Sequence, residues 1–486
     1  MIDLTVQEAQ VQKTAAICKE QGIVLPTYDQ MRNPDLIPDG IKRDLEGVGL
    51  WDVDSKNLFR VSWYNEPKSH GGTYAGGNHI ELPSSLTRTR ARIVALTGKW
   101  FPTGAHKVGA AFGCLVPTLV AGQFDPSAHR AVWPSTGNYC RGGAYISRLL
   151  GCASIAILPE EMSKERFEWL KNMADETIAT PGCESNVKEI FDKCWELRKT
   201  RGDKLFIFNQ FEELGNHLWH WEVTGSAMER TVKSLMDENS VYAGACLSSG
   251  SGGTLASGEY MKSVFPQAKL VVAEALQCPT LLSNGFGGHR IEGIGDKHVP
   301  WIHNVKNTDM AIAVDDEHAM RLLRLFNEEV GREYLAERGV DRSVLDRLDL
   351  LGISGIGNML SAIKFAKYYD LTEEDIVTTV FTDSFEMYES RLEEQAEEKG
   401  RYTRENAVAD YELLRQIGTD NLLELSYAER KRIHHLKYYT WIEQQGKQLE
   451  ELNAQWYDRN YWTDIHKLAP KLNRLIADFN ERVRSA

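Results

Sequence analysis

The sequence predicts an α/β fold built on a largely parallel sheet, with an added helical region towards its C-terminal end. Three observations predict it. Between about residues 90 and 390 short apolar runs alternate with amphipathic stretches; the runs are four to six residues long and partly β-branched; and the last ninety or so residues place apolar side chains near helical spacing. At 486 residues the chain is long enough for two or three domains.

In chain order, residues 1–75 are mixed and turn-rich. The stretch Gly71-Gly-Thr-Tyr-Ala-Gly-Gly77 then marks a break before the regular part. Strand-like runs follow at 92–96, 153–158, 205–208, 269–273 and 376–381, separated by helix-like segments such as 163–173. The weakly polar run 108–122 holds Gly109, Gly113, Pro117 and Thr118. It is too short to cross a bilayer and reads as a buried helix. After Tyr388 the sequence becomes strongly charged. Leu436, Tyr439, Ile442, and again Leu449, Leu452 and Trp456, then recur near helical spacing, which reads as a packing or oligomerisation appendage. Trp441, Trp456 and Trp462 are expected to be packing residues. His434 and His435 are neighbours that point apart on a helix, so a surface position is expected.

Bulk composition narrows the function. With 42% hydrophobic and 26% charged residues the chain has the make-up of a soluble globular protein. Its formal charge of -13 disfavours nucleic acid as a partner, because a basic face is needed to bind phosphates. The eight cysteines include no Cys-x-x-Cys pair, which argues against a zinc knuckle and for a reducing compartment. The first residues have no basic start followed by an apolar stretch, so a cytoplasmic location without a secretory signal is expected.

Three segments carry chemistry. Trp100-Phe-Pro-Thr-Gly-Ala-His-Lys107-Val-Gly-Ala-Ala-Phe-Gly113 sets a lysine among apolar and small residues at the edge of a buried helix, where it must be paired or chemically used. Pro134-Ser135-Thr136-Gly137-Asn138 presents two hydroxyls and several amides at a helix start, which suits a carboxylate. Ser249-Gly250-Ser251-Gly252-Gly253-Thr254 lies between an apolar stretch and a helix, where converging backbone amides suit a phosphate. Taken singly, each is an ordinary turn or a surface lysine. Together they are the parts needed for pyridoxal phosphate: a Schiff-base lysine, an asparagine for the ring's phenolic oxygen and an anion cradle. His217-x-x-His220 puts two imidazoles on one helical face, but the sequence offers no third ligand beside them, so no metal is expected.

On these residues the chain resembles the fold type II pyridoxal-phosphate enzymes, the tryptophan synthase β-like superfamily, and within it the cysteine synthase and cystathionine β-synthase branch. Further segments fit in order: Phe208-Asn-Gln210-Phe211 with Asn216, His220 and Thr224-Gly225 after it; Ala273-Glu-Ala-Leu276; Gly288 to Pro300; Gly352-Ile-Ser-Gly355; and Thr382-Asp383-Ser384. The resemblance covers roughly residues 75 to 390. It implies two open, largely parallel twisted sheets flanked by helices. The implied parts are an N-terminal extension (1–75), a large cofactor domain (76–107 and 226–390), a smaller substrate-loop domain (108–225) and a C-terminal helical extension (391–486).

The same resemblance implies a set of roles. Lys107 is the catalytic and cofactor-binding lysine. Asn138, Ser249, Gly250, Ser251, Gly252, Gly253, Thr254 and Ser384 hold the cofactor, while Ser135, Thr136, Gly137 and Gln210 hold the substrate. Ser384 is placed against the pyridine nitrogen, with Asp383 as the competing candidate. Two departures concern the substrate. The loop 134–138 lacks the glutamate of tryptophan synthase β, and Tyr139 stands where the family commonly has threonine, a phenol expected to reshape the pocket.

The implied reaction is β-replacement on an amino acid through an aminoacrylate, with a thiol or sulfide co-substrate, in a homodimer. A β-eliminating lyase and a non-catalytic subunit are the alternatives.

Overall fold

The structure, a computed structural model, describes residues 2–66 and 74–485, so part of the glycine-rich break at 71–77 lies outside the described residues. Two sheets organise the chain. The strands are β1 (His79–Leu82), β2 (Arg92–Thr97), β3 (Arg130–Pro134), β4 (Ala153–Pro159), β5 (Glu176–Thr180), β6 (Leu205–Ile207), β7 (Val241–Ser248), β8 (Lys269–Ala275), β9 (Met310–Val314), β10 (Asp375–Phe381) and β11 (Leu422–Glu424). The larger sheet runs β1-β2-β10-β7-β8-β9-β11 and the smaller β5-β4-β3-β6. Among these strands the edge strands β1 and β11 pair antiparallel and the other pairings are parallel. All five runs read as strands from the sequence are strands. β8 and β10 are buried over nearly their whole length because helices cover both of their faces.

In a parallel arrangement the connections leave from the carboxyl ends of the strands, and ligands bind there. Segments 98–107, 249–254 and 382–384 leave β2, β7 and β10 of the large sheet. Segments 135–138 and 208–210 leave β3 and β6 of the small one. The lysine segment, the 135–138 loop, the glycine-rich loop, 208–210 and 382–384 therefore all lie at the carboxyl ends of strands.

The helix Lys107–Val120 passes from one sheet to the other and is almost entirely buried. Its glycines allow backbone to approach backbone. A Cβ on Gly113 would stand 2.5 Å from the Gly215 carbonyl oxygen, and one on Gly109 would stand 2.1 Å from the Trp219 ring. The helix Leu214–Trp219 thus lies directly against the turn that bears the lysine. It continues into a π-helical turn, His220–Thr224, a widening common at functional sites. Since neither backbone can retreat, Gly113→Ala is expected to cost about 1–3 kcal/mol through overpacking, read as a lowered urea midpoint.

The two ends of the chain, which the resemblance leaves unassigned, clasp one another. The helix Glu8–Glu20 lies along the C-terminal helix Ala469–Ser485, where Asn480 donates to the Leu25 carbonyl (2.8 Å) and accepts from the Leu25 amide (3.0 Å). Residues 391–485 form mostly helices joined by short turns, with β11 extending the large sheet. Trp441, Trp456 and Trp462 are buried as expected, but Tyr439 and Leu449 are exposed. The surface reading of His434 is corrected. It is 4% exposed, with Nε2 hydrogen-bonded to the Leu452 carbonyl oxygen, because the following helix folds back over it. Among the described residues no disulfide joins the cysteines, and no helix is long and apolar enough to cross a membrane.

Candidate active site

Lys107 opens its helix, and its Nζ donates to Gln210 Oε1 and to Ser251 Oγ, each at 3.0 Å. Gln210 Nε2 in turn donates to Ser135 Oγ at 3.4 Å. Asn216 Nδ2 donates to Ser251 Oγ at 3.0 Å. One chain of hydrogen bonds therefore joins the 134–138 loop, the lysine and the glycine-rich loop, although they lie far apart in sequence. Burial lowers the Lys107 amine to about 8, with Asp296 and Glu184 pulling it back upward. A far larger share of it than of an ordinary lysine is then neutral near physiological pH and able to act as nucleophile or base.

The loop 135–138 is shaped by Gly137, at φ 145°, a conformation that L side chains rarely adopt. A Cβ there would stand 2.6 Å from the Arg166 side chain. The Gly137 amide donates to Ser135 Oγ (3.0 Å), and Thr136 is 8% exposed. Asn138 begins the next helix and donates through Nδ2 to Asp383 Oδ2 at 2.6 Å. Tyr139, expected to reshape the pocket, is turned into the core instead. Its hydroxyl donates to the Phe208 carbonyl and its ring meets Trp133 edge-on. A residue one step along a helix from Asn138 faces about 100° away, which accounts for the difference.

In the glycine-rich loop, Gly252 has φ +79°. Cβ atoms on Gly250 and Gly253 would lie 2.4 Å from the Gly293 carbonyl oxygen and 2.3 Å from Asn216 Oδ1. Only glycine fits at these positions. Thr254 precedes the helix Leu255–Val264, whose amino end adds positive potential to the cradle. The residues fit pyridoxal phosphate by the test of their unused polar atoms. Asn138 Oδ1, Ser249 Oγ and Ser384 Oγ are buried without a hydrogen-bond partner among the described residues. These are three of the groups expected to hold the cofactor.

Several residues around this site were not singled out from the sequence. His106 Nε2 is hydrogen-bonded to Thr382 Oγ1 (3.2 Å), and its ring stands edge-on to His220, 5.0 Å away. Burial holds the His106 imidazole down to about 3, so it is neutral. Arg166, 1% exposed, pairs with Glu292 and lies 3.6 Å from Asp383. Tyr388 donates its hydroxyl to Asp383 Oδ2 at 2.7 Å and receives Arg166 at 2.9 Å. Asp383 is therefore tied into an ionic cluster, whereas the Ser384 hydroxyl beside it is uncommitted. No local motif announces Arg166 or Tyr388, since only the tertiary fold brings them to the loop.

The two imidazoles of His217-x-x-His220 part company. His220 Nδ1 bonds to Thr224 Oγ1, and His217 Nε2 meets His466 Nε2 at 2.9 Å. Glu259 joins that pair, and the three ligand atoms lie within 4.8 Å of one another. The two partners of His217 come from distant sequence, which the spacing alone does not reveal. Burial holds His217 down to about 3 and His466 to about 2, so one neutral ring donates to the other and fastens the C-terminal region to the core.

The family model described as pyridoxal-phosphate dependent enzyme matches residues 99–333. Cysteine synthase of Staphylococcus aureus (strain Mu50 / ATCC 700699) is 28% identical over 288 residues, covering 59% of this chain and 84% of that protein. Cystathionine beta-synthase of Saccharomyces cerevisiae (strain ATCC 204508 / S288c) is 26% identical over 320 residues, covering 63% of this chain and 59% of that protein. The solved cysteine synthase of Entamoeba histolytica shares the fold with a TM-score of 0.56 at 19% identity, over 69% of this chain and 92% of that one. With a lysine, an asparagine loop and a glycine cradle meeting in one cleft, the chain is similar over residues 99–333 to the pyridoxal-phosphate-dependent enzymes and shares the fold of the solved cysteine synthase.

Proposed function

We propose that the chain catalyses β-replacement on a small amino acid, in the manner of a cysteine synthase, with a thiol or sulfide as the incoming nucleophile. The observation that carries this reading is the hydrogen-bonded chain Ser135, Gln210, Lys107, Ser251, Asn216, which sets an amine of lowered pKa between the 134–138 loop and the glycine-rich loop. The cysteine synthase relatives support it.

Pyridoxal phosphate, when bound, supplies the conjugated ring that makes the Cα proton acidic and lets a Cβ substituent depart. The chain's own residues do the rest. The amides and hydroxyls of Ser135, Thr136 and Gly137, with the Gln210 carboxamide, hold the substrate carboxylate at the amino end of the helix Asn138–Leu149. Lys107 Nζ takes the Cα proton as a base of nearly matched pKa. Asn138 would orient the ring through its free Oδ1 or its Nδ2, and the unpartnered Ser384 hydroxyl would serve the ring nitrogen. Ser249 to Thr254 take the phosphate, and the neutral His106 and His220 keep further positive charge away from the amine. A cytoplasmic homodimer belongs to the same reading, supported by the family resemblance.

The test is product analysis on purified protein supplied with pyridoxal phosphate, O-acetylserine or serine, and sulfide. The expected product carries sulfur on Cβ and forms in excess over keto acid. Keto acid and ammonia without that product would replace this reading by β-elimination, and failure to bind the cofactor would end both.

A further inference from the structure

Two carboxylates beside Lys107 have no place in the mechanism above. Glu184 stands in the loop after β5, at the carboxyl end of the small sheet, and is 1% exposed. Asp296 is 4% exposed and follows Gly293 and Gly295, both at positive φ, in the segment that packs on the glycine-rich loop. There the Gly295 amide donates to the Ser249 carbonyl (2.9 Å). Neither oxygen of Asp296 has a hydrogen-bond partner among the described residues, and Glu184 has only the weakly placed Thr136 hydroxyl and Gly293 amide beside it. Buried carboxylates left this way are uncommon and costly, and they cluster where chemistry needs them.

Glu184 lies beside the Thr136 hydroxyl of the substrate loop and the Gly293 amide, and it faces Asp296, Lys107 and Arg166. Burial raises Glu184 to about 7. Burial, and then the charge of Glu184, push Asp296 well above the usual carboxylate range, against the pull of Lys107. Two like groups in one dry pocket do not both ionise, so at neutral pH the pair keeps a proton.

We infer that Glu184 and Asp296 form a proton-sharing pair that protonates the departing group at Cβ, which makes the substrate an amino acid with an unactivated β-hydroxyl, such as serine, in place of its acyl ester. The inference rests on the β-replacement reading. An acyl ester leaves as a stable carboxylate and needs no acid. A hydroxyl would have to leave as hydroxide, the conjugate base of water with pKa about 15.7, unless a proton arrives as the bond breaks.

The step balances within the site. Lys107 Nζ takes the Cα proton, and the Cβ–O bond breaks with its electron pair on oxygen. The carboxylic acid delivers its proton to that oxygen, so water departs and the pair is left fully ionised. The incoming thiol then gives its proton to the pair as its sulfur bonds to Cβ, and Lys107 returns the Cα proton.

The test uses the full chain with Glu184→Gln and Asp296→Asn, each supplied with sulfide and either serine or O-acetylserine. Each variant is expected to lose about 10²–10⁴-fold in kcat with serine but no more than about ten-fold with O-acetylserine. A second readout needs no turnover: the infrared difference between cofactor-free wild type and either variant at neutral pH should contain a protonated carboxylic acid carbonyl band. Equal losses on both donors would overturn the inference, since the pair would then be holding the pocket together. Absence of the acid band would also overturn it. Wild-type turnover of O-acetylserine but not serine would remove the acid role while leaving β-replacement intact. Turnover of neither donor would bring down the β-replacement reading and this inference with it.

Discussion

Lys107→Ala is expected to abolish covalent capture of pyridoxal phosphate and to lower turnover by at least about 10⁴-fold, the upper range for loss of a positioned proton-transfer group. After borohydride treatment and denaturation the wild-type chain should retain the pyridoxyl group on the peptide containing Lys107, and the variant should retain none. The size of the effect follows from the surroundings of the amine. The nearest other nitrogen bases, His106 and His220, are held neutral by burial and occupied with Thr382 and Thr224. Neither can attach the cofactor, and among the described residues no second lysine is bonded to Gln210 or Ser251.

The same burial gives the reaction a pH signature. An ordinary lysine amine becomes neutral near pH 10.4, whereas here the transition is lowered to about 8. The rate at which cofactor-free protein captures pyridoxal phosphate should therefore rise with pH and level off above about 8. A rise that continued towards pH 10 would show an amine in contact with water and a site less closed than described.

How much of this was legible beforehand depended on how local each signal was. The strands β2, β4, β6, β8 and β10 declare themselves through compact apolar runs. β1 and β11 are short edge strands of four and three residues, and β5 is only half-buried, so their patterns are too weak or too brief to stand out. Lys107, Asn138 and the 249–254 loop were legible because glycines and small residues must flank them, and that constraint is written in adjacent positions. Glu184, Asp296 and Arg166 are single charged residues in ordinary loops or helices. Nothing beside them in the chain records that the fold will remove them from water, and their meaning comes from partners brought in from elsewhere in the fold. The mistaken placement of His434 has the same origin, since the helix that buries it is a tertiary neighbour.

Arg166→Met should be the most destabilising single change near the cleft, because it leaves two buried acids short of their cation. Arg166 is 1% exposed and serves Glu292, Asp383 and the Tyr388 hydroxyl at once. Glu292 keeps Arg391 at 2.7 Å, but Asp383 is left with the hydrogen bonds from Asn138 and Tyr388 and the more distant charge of Arg141. Removing one partner of a buried ionic group typically costs about 3–5 kcal/mol, which urea unfolding would register.

The pH dependence separates this cause from lost packing. Burial already raises Asp383 in the folded chain, and Arg166 is the largest influence holding it down. An acid whose folded-state pKa lies above its unfolded value binds its proton more tightly in the fold. Stability therefore falls as pH rises from the unfolded value, about 3.9 for aspartate, towards the folded one. Without Arg166 that window widens upward. The deficit of the variant relative to wild type should then be smallest at mildly acid pH and grow towards neutrality. A deficit that stays constant with pH would mean that the guanidinium matters for the space it fills, and that the charge on Asp383 is already balanced by Arg141 and its hydrogen bonds.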